Sequence, residues 1–403
     1  MLNWANRFNI CCFLDSHQYH SSHSSHDCLV AAGCRHSLMA DAGNALNRLN
    51  CFYASAGDWI FGHLGYDLKN EIESLQSSHP DGVQFPDLFF FVPEVIVRLE
   101  GHTVSIGAED GAARQVFRDI IGTPDVPPAF RDPVAIRQRF SRQEYVAVVE
   151  QLKRHILKGD CYEINLCQEF FAEDATIHPL ALYRSLSAAS PNPFAAYYRL
   201  NDKYLLCLSP ERYLKKEGRH ILSQPIKGTL RRQAGDPDGS SLQQNGKERA
   251  ENIMVVDLVR NDLSKICEKG SVQVDELCGI YAFPQVFQMI STVSGELRDG
   301  VTPTDAIRAT FPMGSMTGAP KNRVMELIER YELRKRGLFS GSVGYFSPSG
   351  DFDLNVVIRS VLYNASSRYL SFHTGSAITF ASDPEAEYEE CLLKAEAIRK
   401  ALA

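Results

Sequence analysis

The sequence predicts an α+β protein, and three observations lead there. Four separated stretches carry apolar residues at helical spacing. Between them, period-two runs come in neighbouring groups that suit antiparallel strands, and no regular strand–helix alternation links them. The 403 residues are 44% hydrophobic and 23% charged with a net charge of −7, enough apolar material for a sizeable core. The acidic balance argues against nucleic acid or anionic membrane as the main partner, but not against a small anion held by a local cation cluster.

The opening MLNWANRFNICCFLD lacks a basic segment followed by a long apolar run, and LFFFV at 88–92 meets Pro93 and Glu94 at once. No signal peptide or membrane span is expected. Eleven cysteines without a repeated CxxC spacing read as reduced thiols in a cytosolic enzyme. His17, His20, His23 and His26, followed by Asp27, Cys28, Cys34 and His36, have the number of a metal site. Their serine-rich setting fixes no geometry and reads as a solvated loop.

Strand-like runs follow at 58–68 and at 94–107, the second a hairpin about Glu100-Gly101. Four prolines within 122–133 can continue neither helix nor central strand, which places a boundary between residues 1–130 and 131–403. Residues 144–160 form a helix stopped at Gly159, and CYEINLCQEF at 161–170 alternates like a strand. Residues 203–229 read as two strands around Gly218. Helical patterns return at 246–267, 319–336 and 384–402, and antiparallel strands occupy 340–364 and 368–380. No repeat of fixed period is present.

Glu248 and Glu251 lie three apart, as do Glu387 and Glu390, so each pair shares a helix face. They are either solvated surface or four oxygen donors for a hard cation. Arg359, within LNVVIRSVL, and Lys394, one turn beyond Glu390, are cations in apolar patterns. Each is either half of a structural ion pair or a clamp for a substrate with several carboxylates. Lys227, in SQPIKGTLRR, is either a strand-end lysine reaching for water or a nucleophile whose pKa must be lowered. Glu211, in LSPERYL, could serve as its acid partner. No GxxxxGK[ST] and no GxSxG or GxCxG elbow occurs, so nucleotide binding by a P-loop and hydrolysis by a buried Ser or a glutaminase Cys are not expected.

The blocks SPERYL, PIKGTLRR, KERAENIMVVDLVRNDL, FPMGSMTGAPKNRVMELIE, GLFSGSVGYF, DLNVVIRS and SDPEAEYEECLLKA stand in the order and spacing of the chorismate-utilising enzymes. This family includes anthranilate synthase component I, isochorismate and salicylate synthases, and aminodeoxychorismate synthase component I. The resemblance covers about residues 140–403, and FGHLGYDLKNEIE extends it weakly into the first third. It implies two facing antiparallel sheets wrapped by helices, with residues 131–403 as the chorismate-binding catalytic domain and 1–130 as an N-terminal subdomain.

Within the family, PIAGT typifies anthranilate synthases and PIKGT aminodeoxychorismate synthases; this chain has PIKGT. The resemblance therefore implies conversion of chorismate and ammonia to 4-amino-4-deoxychorismate, the precursor of p-aminobenzoate and folate, with ammonia supplied by a separate glutaminase subunit. It implies magnesium held by Glu251 and Glu390, with Glu248 and Glu387 near. Lys227 would add at ring C2 while Glu211 protonates the departing C4 oxygen, and ammonia would then displace the lysine by attack at C4. Arg359 and Lys394 would clamp carboxylates, and Thr229, Ser315 and the backbone at Gly228 and Gly375 would complete the pocket. Four positions depart from the family pattern: Gln288 for a histidine, Phe339 for a tyrosine, Ala377 for a glycine, and Glu163 where related synthases carry Gln or Lys. Gln288 is still expected to hydrogen-bond within the pocket. FLDS at 13–16 is the nearest counterpart of the tryptophan-binding LLES of regulated anthranilate synthases.

Overall fold

A computed structural model describes residues 1–403 apart from 20–22, 24–25, 126–132, 233–235, 237 and 284–285. Its described strands form two antiparallel sheets of eleven and ten strands. Both draw on the whole chain. Ile10–Asp15, Cys28–Ala32, Val95–Glu100 and Thr103–Gly107 enter the first sheet, and His36–Ala40, Ile60–Leu64 and Leu88–Val92 enter the second. The expected hairpin pairs Glu100 with Thr103. His20 and residues 126–132 of the proline-rich stretch lie outside the described residues.

Burial on both faces explains why strands such as Ile10–Asp15 and Lys203–Ser209 are near-continuous apolar runs. Cys12 and Leu14, or Leu205 and Cys207, face the core between the sheets, where they join Phe61, Leu214 and Phe346. Their neighbours Cys11 and Phe13, or Leu206 and Leu208, point the other way, into a second cluster. That cluster lies under the helices Pro179–Ala189 and Pro384–Leu402. Side chains of period two thus feed two apolar layers at once.

Residues 203–229 hold four strands instead of the expected two: Lys203–Ser209, Arg212–Glu217, His220–Gln224 and Ile226–Arg231. The first belongs to one sheet and the other three to the second. Ser342–Phe346 and Phe352–Asn355 lie in the second sheet, Ser360–Asn364 and Tyr369–Ile378 in the first. The chain therefore changes sheet at Pro210-Glu211 and again at 356–359, and the two changes run side by side. Cys207 pairs with Ser360 on one flank and Arg212 with Asn355 on the other. Val356 N–H donates to the Glu211 carbonyl at 3.0 Å, and Leu208 N–H to the Arg359 carbonyl at 3.3 Å. Proline, lacking an N–H, suits a place where the ladder is broken.

Candidate active site

Glu211 and Arg359 both occupy this double crossover, so Arg359 is not the mid-strand residue that LNVVIRSVL suggests. It adopts φ +49°, a left-handed conformation that costs a non-glycine residue energy and is held only by its surroundings. Burial lowers its guanidinium pKa to about 10, against the opposing charge of Glu211. With the Gln288 carboxamide oxygen turned toward it, that oxygen accepts from both terminal nitrogens of Arg359, at 2.6 and 3.3 Å. Gln288 is fully buried. Glu211 is buried and accepts from Ser315 Oγ at 2.6 Å. Burial pushes its carboxyl up to about 7, although Ser315, Lys227 and Arg359 all favour the anion.

Lys227 sits where the pairing of Ile226–Arg231 with Val286–Glu296 slips between Ile226 and Thr229. Such an irregularity re-aims a side chain, and Gly228 takes φ +93° within it. The Lys227 side chain is only 11% exposed, and Nζ donates to Glu163 Oε1 at 2.8 Å. Burial works against the ammonium, but the carboxylates of Glu163, Glu251 and Glu211 outweigh it and raise its pKa. This is opposite to the lowered pKa expected of a resting nucleophile: three acidic neighbours replace the cation that would have done the lowering. The carbonyl of Lys227 is held by Asn252 Nδ2 at 3.4 Å.

The helices Gly246–Ser264 and Pro384–Leu402 begin with the two glutamate pairs. Asn245 accepts from the N–H groups of Lys247 and Glu248, and Asp383 from that of Ala386, so both N-termini are capped. Carboxylates near such an end are favoured by its partial positive charge. Lys247 Nζ lies 3.8 Å from Glu251 and 3.3 Å from Glu387, bridging the two helices. Ser376 hydroxyl donates to Glu387. Burial and Glu390 raise Glu248, and burial raises Glu251 to about 7 despite Lys227. Glu390 is pushed up by burial but ends below its ordinary value because of the charge of Lys394, which also hydrogen-bonds it.

Lys394 is not a buried clamp. Its side chain is 46% exposed, and its ammonium is shared between Glu390 at 2.7 Å and the Gly375 carbonyl at 2.8 Å. Gly375 itself could not carry a side chain, since a Cβ would stand 2.5 Å from Cys167 Sγ. Thr229 is exposed and lies opposite Gln288 in the sheet register. Phe339 stacks on His373 in the core, at 4.9 Å between ring centroids. Ala377 lies opposite Asn165.

A divalent cation suits these carboxylates in charge and donor type. Oε1 of Glu251 is buried without a hydrogen-bond partner, and a Cβ at Gly228 would press to 3.2 Å from Glu248, so glycine leaves that carboxylate room. Among the described residues no three acidic, His or Cys side chains converge closely enough to hold an ion. In this arrangement the Lys247 ammonium supplies the positive charge between the helices.

A cavity of about 350 Å³ opens on Glu211 and Ser315 from the side of Asp262 and Thr310. A larger one, about 1000 Å³, is lined by Leu14, Asp15 and Ser16 of FLDS together with Gln224 and Asn355, and by none of the predicted site residues. His17 bonds Ser187 Oγ and the Asn192 carbonyl, and the His26 ring packs on Tyr345. Sequence reasoning missed Lys247, Asn252 and Ser376. Lys247 and Asn252 stand in the KERAEN block beside the glutamates, whereas nothing local marks Ser376.

A family model of chorismate binding enzymes matches residues 13–400. The chain belongs to the chorismate binding enzyme family. Curated relatives of this chorismate binding enzyme include aminodeoxychorismate synthase component 1 of Salmonella typhimurium, 38% identical over 336 residues, covering 82% of this chain and 73% of that protein. Anthranilate synthase component 1 of Thermus thermophilus is 34% identical over 358 residues, covering 85% and 77%. Among solved structures, anthranilate synthase component I from Streptococcus pneumoniae superposes with a TM-score of 0.82 at 24% identity, over 95% of this chain and 96% of that one. The menaquinone-specific isochorismate synthase MenF of Escherichia coli gives 0.79 at 16% identity, over 100% and 91%. These two likenesses bear out the two-sheet fold.

Proposed function

We propose that the chain aminates chorismate with ammonia to give 4-amino-4-deoxychorismate, with Lys227 as nucleophile and Glu211 as acid. The observation that carries this reading is a largely covered lysine near a buried carboxyl whose pKa of about 7 keeps a proton available at neutral pH. Lys227 gives up its proton to solvent before attack and adds at ring C2 as Glu211 protonates the departing C4 oxygen. Ammonia then attacks C4 and expels the lysine as a free amine. Arg359 has only the neutral Gln288 as a hydrogen-bonded side-chain partner among the described residues, which suits it to meet a substrate carboxylate. Thr229, Ser315 and the backbone at Gly228 and Gly375 would complete the pocket, and Lys394 would act through Glu390.

Glu248, Glu251, Glu387 and Glu390, which stand around Lys247 too far apart to hold an ion in this arrangement, would have to draw together to hold magnesium, which when bound neutralises a substrate carboxylate. Ammonia would come from a glutaminase subunit, in keeping with the "component 1" in the name of the Salmonella relative. Eleven free thiols suit a cytosolic setting, and among the described residues no helix is long and apolar enough to cross a membrane. Residues 1–130 serve as a subdomain bracing the catalytic stretch 131–403.

Incubation with chorismate, magnesium and an ammonium salt tests the reading. A product that becomes p-aminobenzoate only after the downstream lyase is added supports it. Direct release of anthranilate would replace it by the activity named for the Thermus relative. No turnover, with chorismate still bound, would point to a non-catalytic scaffold for the glutaminase.

A further inference from the structure

Glu163 is 1% exposed, and its two carboxylate oxygens differ. Oε1 already holds one primary ammonium, that of Lys227, at 2.8 Å. Oε2 is equally buried and has no hydrogen-bond partner. A buried carboxylate oxygen left without a donor is costly, and such groups are ordinarily satisfied by protein, water or ligand. The strand Glu163–Ala172 fixes the backbone from which this side chain projects, because it pairs along its length with Tyr369–Ile378 and at Glu163 itself with Ala319. The other carboxylates near Lys227 have different tasks: Glu211 is engaged by Ser315, and Glu251 faces Lys247.

We infer that Glu163 Oε2 is the docking point for the second substrate, binding ammonium beside Lys227 and accepting its proton. The inference rests on the amination reading above. Ammonium donates to Oε2 and then transfers one proton to it, leaving neutral ammonia with its lone pair free. Ammonia forms the new bond at C4 as the bond to Lys227 breaks, and the lysine leaves as a free amine. The proton gained by Glu163 equals the one Glu211 spends on the departing oxygen, and exchange with solvent resets both. No oxidant or further reactant is required. A carboxylate here makes a cation-specific site, which a carboxamide of the same shape would not.

The test measures initial rates with ammonium chloride as the only nitrogen source, for wild type and for Glu163→Gln and Glu163→Asp. Replacing a charged acceptor by a neutral one is expected to raise the KM for ammonium about ten-fold or more while the KM for chorismate stays within about two-fold. Glu163→Asp, which keeps the charge, is expected to recover part of the loss. Thermal unfolding of each variant verifies that it is folded. An unchanged ammonium KM in Glu163→Gln would overturn the inference, as would a parallel rise in both constants. Failure of the wild type to form any aminated product would instead remove the proposed function itself.

Discussion

Lys227 and Glu211 face opposite demands in the proposed reaction, since one must give up its proton and the other must keep it. Glu211 holds its proton up to about pH 7. Below that value the acid form is in place but the free amine of Lys227, whose pKa is raised, is scarce, so kcat/KM should rise about ten-fold per pH unit. Above it, loss of the Glu211 proton offsets the gain in free amine and the profile should level off; a profile still rising about ten-fold per unit between about pH 7 and pH 9 would contradict the assignment. Glu211→Gln should lower kcat by about 10²- to 10⁴-fold and abolish that levelling. Lys227→Ala should retain the fold, as judged by circular dichroism, and form no aminated product. These roles were legible only as alternatives in the sequence. A lysine in PIKGT shows its chemistry through its neighbours, and Glu163, the nearest of them, lies 64 positions away.

At the scale of elements, the site depends on two helix starts and one double change of sheet. Asn245→Ala removes acceptors for two N–H groups at the start of Gly246–Ser264. It should lower stability by about 1 kcal/mol in a denaturant titration, and an unchanged midpoint would show that the cap contributes nothing. Glu251→Gln and Glu390→Gln should each raise the magnesium concentration needed for half-maximal rate, and a magnesium titration superposing on wild type would remove them as ligands. The helices were readable because their apolar spacing and caps are local. The crossover was not: strands buried on both faces look alike on either side of Pro210-Glu211, so 203–229 read as two strands where there are four. Arg359 was placed in a strand for the same reason.

Across the whole molecule, the two sheets bring residues from widely separated blocks to one place. Glu163, Glu211, Lys227, Glu251, Ser315 and Arg359 come from strands, a helix, a 3-10 turn and the crossover, and burial shifts the titration of Glu211, Glu251 and Arg359. The order of the blocks was sufficient to anticipate the fold, because it reflects how the chain is threaded through both sheets. It could not convey that carboxylates surround Lys227, or that Lys394 is half exposed and paired with Glu390. The surplus of acid around the lysine sharpens the central claim, which is that the protein attacks chorismate before ammonia does. Intact-protein mass spectrometry after incubation with chorismate and magnesium, without ammonium, addresses this directly. The account predicts an added mass of one chorismate less one water, mapped to the peptide containing Lys227 and absent from Lys227→Ala. Full ammonium-dependent turnover by Lys227→Ala, with no adduct on the wild-type chain, would contradict it.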